Sequence, residues 1–342
     1  MKISRLSQET KQEHNSQTEQ FAIDVLTGLC SNPKNISAKY FYDDKGSELF
    51  QKITQHEDYY PTRIEYQILD NIKRDLPNLF DSDEIDIIEL GAGDGHKSQL
   101  IIQGFLDCQK RVNFYPIDIS EKAMLLMEQH ISPDPKLDIH RVVGEYFEGL
   151  RFVRKNSSNP LLVLFLGSNI GNFDRTQNQG FLRKLWKCLN DSDHLLVGFD
   201  LKKDVEILTK AYNDSAGYTR DFNLNLLHRI NCELGADFNL EKFQHFGSYN
   251  PLLGAMESFL LATEKQDVFI SELERSFRFE AYEPLHLEYS FKFLKSDIES
   301  LSALTGFDVV EHFTDPDDYF MDSLWRVSKG ENHKLPLNLY VV

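Results

Sequence analysis

The residues best suited to chemistry fall in four places along the chain. The stretch Ile85 to Gly95, IDIIELGAGDG, sets alternating glycines, Gly91, Gly93 and Gly95, behind the acid Glu89. Such glycines permit a tight turn and a close approach of backbone to a ligand. A dinucleotide loop needs glycines at its first, third and sixth positions, and the sixth here is His96. The loop therefore favours a different nucleotide-derived ligand, with an ordinary strand-to-helix turn as the plain alternative. Asp118 ends the next apolar run, roughly 25 residues on, where a carboxylate accepts hydrogen bonds from ribose hydroxyls. Its alternative is helix capping, although Ser120 already suits that role. Asn172 follows another apolar run in FLGSNIGNF; a lone Asn there is usually a turn residue, yet open α/β sheets bind ligands at such strand ends. Finally, LHLEYSFKF, Leu285 to Phe293, alternates strictly, so Glu288 and Ser290 point the same way, with His286 and Lys292. On periodicity alone, a solvated polar face is the stronger reading of that strand.

These residues need a scaffold, and the apolar pattern supplies one. Ile85–Leu90, Arg111–Ser120, Ile139–Val143, the run from Leu161 and His194–Leu201 read as strands. Helical spacing follows the glycine loop at Leu100, Ile101, Phe105 and Leu106, and returns over Asp174–Asn190. The result is an α/β fold, a Rossmann-like sheet that the runs from Phe307 and Ser323 would close as a terminal antiparallel hairpin. The alternation stops at Lys202. Residues 203–292 read first as helix, with Phe222–Leu234 stopping at Gly235, and then as strands such as Met256–Leu261. This section joins residues 20–64 as a smaller α+β substrate-binding domain, a lid. Residues 65–202 and 293–342 form the sheet domain, and the polar segment 1–19 is frayed. In 34–69, Ser47 suits a helix cap, Tyr59 and Tyr60 read as extended before Pro61, and Glu65–Leu69 begins another helix. Tyr42 and Tyr59 lie in an aromatic cluster whose ordinary use is packing.

Composition narrows the partners. The 342 residues carry a net charge of −17, a surface that repels phosphate backbones and argues against nucleic acid. No run approaches a membrane span, and the N-terminus lacks the apolar core of a signal peptide. Cys30, Cys108, Cys188 and Cys232 are widely scattered, with no close pair of the kind a zinc or redox motif needs; they read as reduced thiols of a cytoplasmic protein. No metal site and no catalytic triad is visible.

The glycine loop resembles motif I of S-adenosylmethionine methyltransferases. The runs YFYDDKGSELFQKIT and DYYPTRIE, the loop followed by Lys97, FLGSNIGNF, AYNDSAGYTRDFNLNLL and LEYS together resemble the histidine-specific Nα-methyltransferases of ergothioneine biosynthesis, over roughly residues 20–328. The resemblance implies S-adenosylmethionine bound by Gly91, Gly93, Lys97, Asp118, Glu145 and Tyr146. It implies a histidine carboxylate held by Asn172 and Tyr212, and an imidazole gripped by Tyr59, Glu288 and Ser290. Tyr42 and Tyr59 would serve the reacting amine, and three transfers would give trimethylhistidine. Two departures stand out. The family's Asp-Phe pair is Glu145–Tyr146 here, and its Met beside the pocket is Ser258, after Glu257. The smaller Ser258 leaves open another amino acid or a histidine-thiol adduct. A module that binds S-adenosylmethionine without turnover is the alternative from a different class.

Overall fold

The computed structural model describes residues 2–6, 11–91, 93, 95–119, 124, 125, 127 and 129–330, with the backbone alone for 11–17. The chain divides into two units, one of Met1–Ser7, Ile64–Leu201 and Phe293–Val342, the other of Gln8–Arg63 and Lys202–Lys292.

The first unit is built on one eight-stranded sheet. Its strands are β1 (Lys2–Arg5), β3 (Glu84–Leu90), β4 (Arg111–Asp118), β5 (Leu137–Val143), β6 (Leu161–Phe165), β7 (His194–Asp200), β13 (Phe307–Thr314) and β14 (Phe320–Val327); β2 belongs to the other unit. They lie in the order β1-β5-β4-β3-β6-β7-β14-β13. All neighbours are parallel except β14, which runs antiparallel to both β7 and β13. This is the Rossmann-like sheet with a terminal antiparallel hairpin that the apolar runs predict. The apolar runs fill it because both faces are covered: Ile85, Ile87 and Ile88 of β3, like Leu162, Val163 and Leu164 of β6, are fully buried. Asp315 closes the hairpin turn, its carboxylate accepting from the Tyr319 and Phe320 amides at 2.8 Å.

The N-terminus departs from the frayed segment expected of it. Lys2–Arg5 forms a short edge strand parallel to β5, and helix α1 (Lys11–Cys30) starts well before the apolar run at Phe21. Residues 7–10 lie outside the described residues, as does Ser120, the residue suited to cap the turn after Asp118.

The second unit has a four-stranded sheet, β2 (Lys34–Asn35), β12 (Pro284–Phe291), β9 (Ala255–Ala262) and β8 (Phe243–Asn250), in that order, and a separate hairpin of β10 (Gln266–Ile270) and β11 (Arg275–Phe279). Helices α1, α2 (Asp44–Gln55) and a long helix Tyr218–Leu234 pack their apolar residues with those of the sheet into one core. The long helix ends where expected, at Gly235, whose φ of +62° suits a residue without Cβ. Two local expectations are corrected. The N-cap of α2 is Asp43, whose carboxylate accepts from the Gly46 amide at 2.6 Å, so Ser47 sits inside the helix. Tyr60 is the first residue of helix α3 (Tyr60–Ile72) rather than extended, because Pro61 is tolerated in a first turn whose amides need no partner.

Candidate functional site

In the sheet unit the candidate groups collect at the C-terminal strand ends. Beyond β3 the chain turns through Gly91 (φ +77°) and Gly93 (φ +53°) to Gly95 (φ +78°), which starts helix α4 (His96–Asp107). A Cβ on Gly91 would lie 2.9 Å from the Tyr146 hydroxyl, whereas one on Gly93 would meet nothing within 4 Å. Tyr146 thus leans over the loop beside an open space. Glu145 occupies the N-cap position of helix α5 (Tyr146–Asn156), but its exposed carboxylate caps nothing. Asp118 ends β4 half-buried. Burial raises the Tyr146 phenol, and the nearby charges of Asp118, Glu145 and Glu89 raise it further. An acidic, aromatic cradle of this kind repels a pyrophosphate. It suits a ligand with hydroxyl donors, a purine face and a positive charge, so these residues fit S-adenosylmethionine.

Lys97 is less simple. Its Nζ donates to Glu65 Oε2 at 2.6 Å, and Glu65 Oε1 accepts from the Gly167 amide, also at 2.6 Å. Glu65 is fully buried. Burial opposes the Lys97 charge, but Glu65, Glu89 and Asp322 outweigh it and raise the ammonium. Asp322 is fully buried, and its two oxygens have no hydrogen-bond partner among the described residues. Burial and then Glu65 push its carboxyl well up, while the Lys97 ammonium opposes them. Lys97 therefore ties α3 and α4 to the loop after β6. Sequence reading missed Glu65 and Asp322, since a lone acid in an amphipathic helix or a hairpin strand looks like surface. That loop turns through Ser168 (φ 56°) into a single turn, Asn169–Asn172. Asn172 is half-buried at the end of that turn.

In the second unit the candidate groups line the sheet. β12 does not alternate strictly. Its pairing with β9 slips between His286 and Glu288, so one extra residue is accommodated there. His286 consequently shares a face with Tyr289, their rings 4.1 Å apart, and packs on Phe259 at 5.2 Å. It does not stand beside Glu288, as alternation predicted. Glu288 and Ser290 keep their common direction, now on the side of the buried Leu285. Across the strands, Glu288 faces Ser258, and Ser258 faces Gly247 on β8. Ser258 is buried, and the row beside the carboxyl is made of the smallest side chains. Burial pushes the Glu288 carboxyl up to about 7, with Lys292 holding it from rising further.

Ser290 Oγ lies 2.6 Å from Tyr212 Oη, and Lys292 Nζ donates to both oxygens at 2.9 Å. Behind Tyr212 stands His245. Its Nε2 is 2.9 Å from the Tyr212 carbonyl oxygen and its Nδ1 2.9 Å from Asn223 Nδ2. A carbonyl only accepts, so Nε2 carries the hydrogen and Nδ1 accepts from the amide. Burial lowers the ring's basicity, in keeping with an Nδ1 that accepts. Tyr59 is half-buried, its ring 6.5 Å from that of Tyr212 and 6.4 Å from that of Phe50. Tyr42 is 45% exposed and meets Phe50 and Phe222 edge-on at 5.5 and 5.7 Å. Of the residues that sequence reading passed over, Lys292 was within reach, two places beyond Ser290. His245 and Asn223 gave no local signal.

The chain has named relatives. Residues 21–327 match the family described as histidine-specific methyltransferase, S-adenosylmethionine-dependent. The histidine N-alpha-methyltransferase of Mycolicibacterium smegmatis is 35% identical over 294 residues, 86% of this chain and 90% of that protein. Its namesake from Mycobacterium tuberculosis is 33% identical over 293 residues, 85% of this chain and 90% of that one. Ergothioneine biosynthesis protein 1 of Neurospora crassa is 28% identical over 291 residues, 84% of this chain but 32% of that longer protein. The chain belongs to the S-adenosylmethionine-dependent histidine-specific methyltransferase family.

Proposed function

We propose that the protein methylates the α-amine of L-histidine with S-adenosylmethionine, in successive transfers to the trimethylated product. The observation that carries this is the pairing of a poised carboxyl, Glu288, with Ser290 and the Tyr212 hydroxyl on one face of the second unit. An imidazole N–H is met by the carboxylate and its ring nitrogen by a hydroxyl donor. An apolar side chain would leave both unpaired, which is how such a site rejects it.

In this reading Gly91, Gly93, Asp118, Glu145 and Tyr146 hold the cofactor: backbone against its methionine part, Asp118 on the ribose, and Glu145 with Tyr146 on the adenine. Lys97 acts there together with Glu65. Asn172 and Tyr212 bind the substrate carboxylate, and Tyr59 joins Glu288 and Ser290 on the ring. Bound S-adenosylmethionine would supply an activated methyl to which a neutral amine bonds as the carbon–sulfur bond breaks and the thioether S-adenosylhomocysteine leaves, so alignment would govern the rate, with no metal needed. Tyr42 and Tyr59 border the amine, and their hydroxyls offer its proton a path. The partner is a small amino acid, not nucleic acid or membrane. Among the described residues no helix is long and apolar enough to cross a membrane. We place the enzyme in the cytoplasm.

The deciding experiment incubates the protein with S-adenosylmethionine and single amino acids and follows mass gains of one to three methyl groups. Histidine should gain three. Methylation of a different amine alone would replace the substrate, and cofactor binding without any methylation would favour a module that does not turn over. The row Gly247–Ser258–Glu288 supports a second reading, that a histidine carrying a sulfur substituent is also accepted. Ser258→Met should then abolish use of the adduct and spare histidine; equal loss of both would count against it.

A further inference from the structure

We propose that Lys292 is a positioning residue for the amino-acid substrate, a donor that frees Tyr212 and Ser290 to give both their hydroxyl protons to it. The inference rests on the reading that these two hydroxyls bind the amino acid.

Lys292 follows directly on β12, and only 3% of it is exposed. Besides its two 2.9 Å hydrogen bonds, its Nζ lies 4.7 Å from the centre of the Tyr212 ring. A lysine head is seldom buried without such partners. The reason for it emerges from counting protons. Tyr212 Oη and Ser290 Oγ are 2.6 Å apart, so one of their two hydroxyl protons lies on the line between them. Only the other can then point at a ligand. A substrate with a carboxylate at Tyr212 and a ring nitrogen at Ser290 asks for both, because each of those atoms only accepts.

Meeting that demand opens the Tyr212–Ser290 bond and leaves two oxygens facing each other with lone pairs turned inward. That arrangement is repulsive unless a third group donates to both. An ammonium has three donors and no acceptor, so it can satisfy the two oxygens without competing for their protons. Lys292 already has the required distances to each. Glutamine at this position would add an acceptor that could capture one of the protons, and methionine would supply no donor at all.

The test is a double-mutant cycle on the full chain, Lys292→Met and Tyr212→Phe singly and together, with L-histidine turnover and S-adenosylhomocysteine affinity measured for each. Lys292→Met should raise the histidine KM by roughly tenfold or more while cofactor affinity changes less than about twofold. In the Tyr212→Phe background, where only one hydroxyl remains to be freed, the same substitution should cost less than half as much on the logarithmic scale. Equal factors in both backgrounds, or a parallel loss of cofactor affinity, would overturn the proposal. If the Met variant fails to fold, Lys292→Gln is carried through the same cycle with the same criteria. Wild-type protein that leaves histidine unmethylated would instead overturn the functional reading.

Discussion

At the scale of single residues, the pH response of Glu288 is the sharpest consequence. Its carboxyl is held at about 7 by burial, so the free protein carries a charge there only above neutrality. Histidine affinity should fall as pH drops through about 7. The substrate amine loses its own proton near 8 or above, a separate rise in rate. Glu288→Gln removes the first limb and keeps the second; a profile unchanged by the substitution would deny Glu288 its role. The same shift fixes a stability trend. An unfolded glutamate releases its proton near 4.3, before the folded one does. Wild type should therefore lose stability relative to Glu288→Gln as pH climbs from there to about 7, readable in thermal melts. Gly91 makes a second prediction. Its φ is +77°, and a methyl group would approach the Tyr146 hydroxyl to 2.9 Å. Gly91→Ala should weaken cofactor binding by at least about tenfold by calorimetry, through backbone strain of ~1 kcal/mol or more and the displaced tyrosine. Unaltered affinity would place the cofactor elsewhere. Sequence alone made Gly91 visible through a local signature, its glycine rhythm, whereas a period of two only aligned Glu288 with Ser290 and the family resemblance made them candidates. Glu65, Asp322 and His245 have none, since their roles come from partners 32 to 257 residues away in the chain: Lys97 for the first, Glu65 for the second and Tyr212, at 33, for the third.

Elements succeed or fail as sequence readings for the same physical reason. Within the βα alternation, β3, β6 and β7 were plain because strands buried on both faces read as near-continuous apolar runs. β8, with Gln244 and His245 near its start and Gly247 in its middle, and the charged hairpin β10–β11 carry no such run and went unread. β12 was found, but its faces were misassigned beyond His286, because a single extra residue inverts every later position and leaves no mark in composition. Helix α2 shows how much one polar residue can organise. Asp43 caps its first turn and also accepts from Asn225 Nδ2 at 2.8 Å, binding α2 to the long helix Tyr218–Leu234. Phe50 on α2 touches the rings of both Tyr42 and Tyr59. Asp43→Ala should cost about 1–2 kcal/mol by urea denaturation, while Asp43→Asn, which keeps an acceptor, costs less. Equal losses would mean that the cap contributes nothing beyond its charge.

At the scale of the molecule, the chain leaves the sheet unit at Leu201 and re-enters it at Phe293, two residues that bridge each other in parallel. Such neighbouring exit and return points are those of an inserted segment, and the change of pattern at Lys202 marked that insertion in the sequence. What local pattern could not mark is that the insertion is incomplete. The core of the second unit draws eight residues from Phe21 to Ile53 and fifteen from Phe222 to Leu287. The two segments interlock: Phe41 stacks on Phe222 with centroids 4.6 Å apart, and β2 pairs with β12 through Leu285 and His286. Burial of the seven side chains larger than Ala22 among these eight, at about 1.5–3 kcal/mol each, is as large as the ~5–15 kcal/mol by which a whole domain is stable. A polypeptide of residues 202–292 should therefore show no cooperative thermal transition, while co-expression with residues 8–63 should restore one. A sharp melt from 202–292 alone would mean that the N-terminal helices decorate a finished core instead of completing it.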